Sequence, residues 1–146
     1  MALEIIEQNP EEKYIILAGI RESGSVVARN LQKLLEDIST VTIELITVSL
    51  DKKDPMTVTL SHTPDLTNKL VIIVDDVANS GRTMLYALKP FLEHRPKKIQ
   101  TLVLVGRSHN SFPVNTDYVG LSIATTFQEH IIVEVSGEEI LGAYLQ

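Results

Sequence analysis

Two adjacent aspartates, Asp75 and Asp76, close a run of five aliphatic residues, Leu70-Val71-Ile72-Ile73-Val74. Behind them come Val77, Ala78, Asn79, Ser80, Gly81, Arg82 and Thr83. Carboxylates accept hydrogen bonds and hold divalent metal ions, but they repel phosphate. The residues after them are small or hydroxylic and lead into a helix pattern. Free N–H groups at a helix start make an anion site, reinforced there by a partial charge of about +0.5. Gly81 lets the backbone approach a phosphate closely. One short segment therefore offers an anion end and a hydroxyl or metal end, and a ribose 5-phosphate has that layout. Plainer uses remain open: a metal site or loop cap for the aspartates, and helix capping alone for Ser80-Gly81-Arg82-Thr83. The Gly-x-x-x-x-Gly-Lys-Ser/Thr pattern is absent, which excludes a P-loop triphosphatase, and no dinucleotide fingerprint occurs.

Two other segments have the same character, Ala18-Gly19-Ile20-Arg21-Glu22-Ser23-Gly24 and Gly106-Arg107-Ser108-His109. Each follows an apolar run that reads as a buried strand, at residues 14–18 and 99–105. In open α/β sheets, ligands bind outside the carboxyl ends of the strands. The elements that must position these segments alternate. A helix whose apolar face runs from Val26 to Ile38 is capped by Ser23 or Ser25. A β-branched strand covers residues 41–50, a polar loop residues 51–55, and a hairpin return residues 56–60. A helix is expected over residues 80–93, stopped by Pro96. Strands follow at 118–124 and 130–135, and residues 137–146 dock on the body. This pattern predicts an α/β fold, a single domain over residues 1–146 with a largely parallel twisted sheet flanked by helices.

The chain has 146 residues, 44% hydrophobic and 22% charged, which suits one ordered globular domain. It has no cysteine, so neither a disulfide framework nor a thiolate zinc site is available. No apolar run reaches the roughly 18 residues of a membrane span, and the acidic N-terminus does not resemble a signal peptide. These features predict a cytoplasmic protein. The net charge of −6 argues against broad phosphate-backbone binding, and Arg95, Lys97 and Lys98, the one basic cluster, read as a solvated helix end. His62 and His94 are expected at the surface, His130 in a structural role, Tyr86 in helix packing, and His109 beside Arg107 at the ligand face.

Residues 71–83, Val71-Ile72-Ile73-Val74-Asp75-Asp76-Val77-Ala78-Asn79-Ser80-Gly81-Arg82-Thr83, closely resemble the phosphoribosyl-pyrophosphate (PRPP) motif of type I phosphoribosyltransferases. Residues 97–109, with Phe112-Pro113-Val114, Asp117-Tyr118-Val119-Gly120 and Thr125, resemble the pyrimidine-operon attenuator branch, whose members double as uracil phosphoribosyltransferases. The resemblance implies that Asp75 and Asp76 bind the ribose 2- and 3-hydroxyls. It implies that Ala78, Asn79, Ser80, Gly81, Arg82 and Thr83 hold the 5-phosphate, mostly by backbone amides. Gly19, Ile20 and Arg21 would belong to the diphosphate loop, with Arg21 meeting the diphosphate. Arg107, His109 and Leu121 would lie on the base side.

The implied chemistry is transfer of ribose 5-phosphate to a nucleobase, uracil giving UMP. Asp75, Asp76 and Arg21 are the catalytic candidates, and Mg2+ is held through the substrate with Asp75 and Asp76 as further ligands. The implied partners are PRPP with a pyrimidine base or UMP, and a second copy of the chain in a homo-oligomer; RNA is disfavoured by the charge. Two differences from the family motivate an alternative, a catalytically weak PRPP- or UMP-binding regulator of pyrimidine genes. Lys52 and Lys53 stand on the loop where the family carries an Arg-Asp-Asp type sequence, and Leu121 stands where it carries lysine.

Overall fold

The computed structural model describes residues 1–126 and 128–146. Six strands form the main sheet in the order β3-β2-β1-β4-β5-β6. They are β1 (Tyr14–Ile20), β2 (Thr42–Leu50), β3 (Val58–Leu60), β4 (Leu70–Ala78), β5 (Lys98–Arg107) and β6 (Tyr118–Ile123). All neighbours run parallel except β3, which returns antiparallel along β2 with Val48 opposite Leu60. The aliphatic runs are the central strands because both of their faces are covered. Side chains alternate across a strand. Ile15, Leu17, Leu70, Ile72 and Val74 therefore pack under helix α2 (Ser23–Ile38), with Leu31 and Leu35. Ile16, Ala18, Val71 and Ile73 face the other way, onto Met84, Ala87 and Phe91.

The helix expected over residues 80–93 is divided. Helix α3 spans only Arg82–Ala87, and Lys89–Glu93 is a 3-10 turn. Pro90 is the cause: it has no N–H to donate and its ring crowds the preceding turn. Phe91 stays buried while Leu92 is exposed. Neither Ser23 nor Ser25 caps α2. Glu22 is the N-cap residue without a side-chain hydrogen bond, and Ser25 Oγ instead donates to Gly19 O at 3.3 Å. The N-terminal residues form a helix that the sequence pattern did not announce, α1 (Ala2–Gln8), held by burial of Ile5.

The last segment meets the body only at its start, where Glu138 contacts α2. It forms β8 (Glu139–Leu145), antiparallel to β7 (Ile131–Ser136) in a separate two-stranded sheet, and every residue of β8 is exposed. Only β7 joins a core, through Ile131 and Val133 against Val105, with Val77 and Ile123 at the edge.

Candidate functional site

The acid pair lies inside β4. The strand continues to Ala78, with Asp75 opposite Val103 and Val77 opposite Val105 on β5. Both aspartates are buried, Asp75 to 2% exposure. Each carboxylate accepts the amide of the next residue: Asp76 N–H donates to Asp75 Oδ1 and Val77 N–H to Asp76 Oδ1, both at 2.9 Å. Helix α2 starts hard against this point. A Cβ on Gly24 would stand 2.6 Å from Val74 O and 3.0 Å from Asp75 Cα, so only glycine lets the helix meet the strand there. Burial pushes the Asp75 carboxyl up, to about 8, and the negative charge of Asp76 adds to the rise. Lys52 opposes it. Its Nζ lies 3.6 Å from Asp75 Oδ1 and 3.9 Å from Asp76 Oδ1.

The loop after the acids is braced from behind. Ser80 O accepts the amides of Ser111 and Phe112 at 3.0 and 3.1 Å. Gly81 has φ of 84°, a left-handed conformation, and is the N-cap residue of α3. Its glycine is thus required first by the backbone, with approach to a ligand a second benefit. Helix α3 is too short for a long aligned dipole, so the local amides of residues 78–83 form the electropositive end. Ser80 Oγ accepts the Arg82 amide at 3.3 Å, and the Arg82 guanidinium stands over the Tyr86 ring at 5.9 Å. Asp75, Asp76 and residues 77–84 line one cavity of about 350 Å3, together with Ser23, Lys52 and residues 131–133 of β7.

A model of the phosphoribosyl transferase domain family matches residues 1–137. The chain belongs to that family. Among curated relatives it is 36% identical over 139 residues to the bifunctional protein PyrR of Streptococcus gordonii, covering 91% of this chain and 80% of that one. It is 36% identical over 154 residues to PyrR of Pelotomaculum thermopropionicum, covering 95% and 84%. It is 40% identical over 139 residues to PyrR of Streptococcus pneumoniae, covering 91% and 80%. Two solved structures share its fold. One is a hypoxanthine-guanine phosphoribosyltransferase of Bacillus anthracis (TM-score 0.70, 23% identity, 90% of this chain and 75% of that one). The other is the hypoxanthine phosphoribosyltransferase of Trypanosoma cruzi (0.73, 20%, 86% and 74%).

Of the other strand-end candidates, Gly19, Ile20, Arg21, Arg107, His109 and Leu121, none lines this cavity. Gly19 and Ile20 are buried in the last turns of β1, and it is Ser23 from that segment that borders the acid pair. Arg21 fixes its backbone by donating its amide to Val48 O at 2.9 Å. The Arg21–Glu22 peptide bond is cis. The Arg21 side chain lines an adjoining cavity of about 430 Å3 with Glu22, Ser49, Leu50 and Asp51. Arg107 has taken two local partners. Its Nε donates to Thr125 Oγ1 and its Nη2 to Thr126 O, each at 2.6 Å, so its guanidinium ties the end of β5 to the segment after β6. His109 is exposed, and Leu121 is 56% exposed on β6.

Two participants were not legible in the motifs. Residues 131–133 form a wall of the cavity, and their strand is anchored where Asn79 Oδ1 accepts the Ile131 amide at 3.5 Å. The tip of the hairpin is anchored on α2 through Glu138. Its carbonyl accepts Asn30 Nδ2 at 3.0 Å, and its carboxylate lies 3.4 Å from Lys33 Nζ and 3.8 Å from Arg29 Nε. No sequence signal points to either, because the partners are far apart along the chain. Among the described residues no group of three or more His, Cys, Asp or Glu side chains is placed to hold a metal ion. Two neighbouring carboxylates suit a magnesium ion that arrives chelated by a diphosphate and keeps several waters, and they do not make a protein cage.

Proposed function

We propose that this protein binds PRPP, as its magnesium chelate, and transfers ribose 5-phosphate to a nucleobase, with uracil as the first candidate acceptor and UMP and diphosphate as products. One observation carries the reading: in a member of this family, the buried acid pair and the amide-bearing loop share a single cavity. The relatives named PyrR favour a pyrimidine acceptor.

In the proposed reaction the bond from the anomeric carbon to the diphosphate oxygen breaks and a bond to the base nitrogen forms. The electron pair leaves with the diphosphate, and the base nitrogen loses its proton to solvent. The amides of residues 78–83 hold the 5-phosphate, and the Asp75 and Asp76 carboxylates accept hydrogen bonds from the ribose hydroxyls. Fixing both ends of the ribose orients the anomeric carbon, and positioning of this kind supplies much of the barrier reduction in such reactions. The carboxylates also favour positive charge developing on the sugar. Arg21, which lines a second cavity, is assigned in this reading to the diphosphate. Magnesium, when bound with the substrate, supplies further neutralisation of the leaving group.

A second reading has specific support: a PRPP- or UMP-binding regulator of pyrimidine genes with little turnover. Leu121 is exposed on the base side, where a charged residue would otherwise orient a base. RNA is a weak candidate partner within that reading. Lys97 is paired with Glu12 at 2.6 Å, Lys98 donates to Asn9 Oδ1 at 2.9 Å, and the net charge is −6. No described helix is long and apolar enough to cross a membrane, and we assign the activity to the cytoplasm and to a homo-oligomer.

Isothermal titration with PRPP and Mg2+, followed by uracil and an assay for UMP, tests both readings. Binding with UMP formation supports the transferase, binding without turnover supports the regulator, and no binding by the folded protein overturns both.

A further inference from the structure

Lys52 stands on the loop between β2 and β3, yet its ammonium reaches both carboxylates of the acid pair, at 3.6 Å and 3.9 Å. The lysine side chain is 48% exposed, while the Asp75 and Asp76 side chains are 3% and 12% exposed. An ammonium on a half-exposed side chain therefore covers two buried carboxyl groups. Asp51, the residue before it, borders the adjoining cavity with Arg21, Glu22, Ser49 and Leu50. Lys52 lines the cavity of the acid pair, while its sequence neighbour Asp51 lines the cavity that holds Arg21.

We propose that Lys52 is a specificity-determining residue: it occupies the ribose-hydroxyl position in the free protein and so selects PRPP over ribose 5-phosphates that lack a diphosphate. The inference rests on the reading of the cavity as a PRPP site. Ribose hydroxyls that donate to Asp75 and Asp76 must take the place of the ammonium. Every ligand that binds there separates a cation from two carboxylates. PRPP gives the displaced ammonium a new anionic partner, its diphosphate, on the side where Asp51 and Arg21 meet. Ribose 5-phosphate and nucleoside monophosphates give it none. Discrimination then comes from a charge left unpaired in the wrong complex, a stronger device than an added contact in the right one. Because Lys52 is half exposed, water and salt screen part of the effect, and the expected discrimination is about fivefold.

The test is isothermal titration of the wild-type protein, Lys52→Gln, Lys52→Arg and Lys53→Gln with ribose 5-phosphate and with PRPP, each with Mg2+. Lys52→Gln is expected to bind ribose 5-phosphate about fivefold more tightly and PRPP no more tightly. Lys52→Arg and Lys53→Gln are expected to keep the wild-type ratio of the two dissociation constants. Added salt should shrink the wild-type ratio and leave that of Lys52→Gln nearly constant. An unchanged ratio in Lys52→Gln, with PRPP still bound by the wild type, overturns the role of Lys52 alone. An equal change in Lys53→Gln also overturns it, since general loop charge would then suffice. A folded wild-type protein that binds neither ligand overturns the PRPP reading and this inference with it.

Discussion

The two walls of the cavity are built by opposite strategies. The wall that carries the acid pair is part of the core: Asp75 and Asp76 sit in the central strand, Gly24 brings α2 against Asp75, and Ser80 O is pinned by residues 111 and 112. The opposite wall is a two-stranded hairpin whose outer strand is wholly exposed and whose polar anchors are Asn79 at one end and Glu138 at the other. Isolated hairpins are marginal in water, so this wall depends on a few contacts that do not belong to its own sheet. The wall that carries the acid pair is thus fixed by the core, while the hairpin wall is lightly held and open to change.

The strongest way to break this comparison is to remove the charges of the rigid wall. Asp75→Asn with Asp76→Asn should weaken PRPP binding about 100-fold or more, since both carboxyl groups proposed to accept the ribose hydroxyls are lost. Isothermal titration on a variant with an unaltered circular dichroism spectrum reads this. Retained binding would mean that the acid pair is only structural. Next in size is Gly24→Ala. Its methyl group would collide with backbone on β4, and we expect a loss of about 2–3 kcal/mol in stability by urea denaturation. A neutral result would show that the wall yields more than its packing implies.

A smaller effect follows from the Asp75 carboxyl. Its folded-state pKa is raised from 3.8 to about 8, so the folded chain holds a proton that the unfolded chain releases across that interval. The associated stability is complete below pH 3.8 and is lost as the pH rises through about 8. Asp75→Asn should therefore melt at the same temperature as the wild type near pH 3.8 and progressively above it toward pH 9, by about 1 kcal/mol or more. Melting curves across that range would reveal the opposite slope if Lys52 more than compensates burial.

The smallest expected effect sharpens the other side. Glu138→Lys opposes the hairpin tip to Arg29 and Lys33, both partly exposed, so the energetic change is modest. The Michaelis constant for the base should rise about threefold while PRPP affinity holds, and reversing Lys33 as well should restore it. Equal loss of affinity for both ligands would show that the two walls act as one unit.

Much of the fold was legible because its signals are local. The apolar runs at 14–18, 70–74 and 99–105 read as buried strands, and each observed strand contains its run. The acid pair and the loop behind it stood out for the same reason, since strand, carboxylates and amides are consecutive. The helix over residues 80–93 misled because its apolar spacing continues past Pro90, where the backbone cannot. The hydrogen bonds of Arg107 to Thr125 and Thr126 were not legible, because these residues follow β6 in the chain and only the fold brings them within reach.

By itself, then, the sequence determined which strands are buried, where the acid pair and its amide-bearing loop lie and which family the chain resembles. These are matters of periodicity and of residues adjacent along the chain. The tertiary structure decided which cation meets the acid pair, which hairpin closes the cavity and which arginine is spent on holding the scaffold. Those contacts join residues 23 or more positions apart in the first case (Lys52 to Asp75) and 108 in another (Asn30 to Glu138). Nothing in local spacing specifies such a pair; it forms only after burial of the two hydrophobic faces has set the strand order.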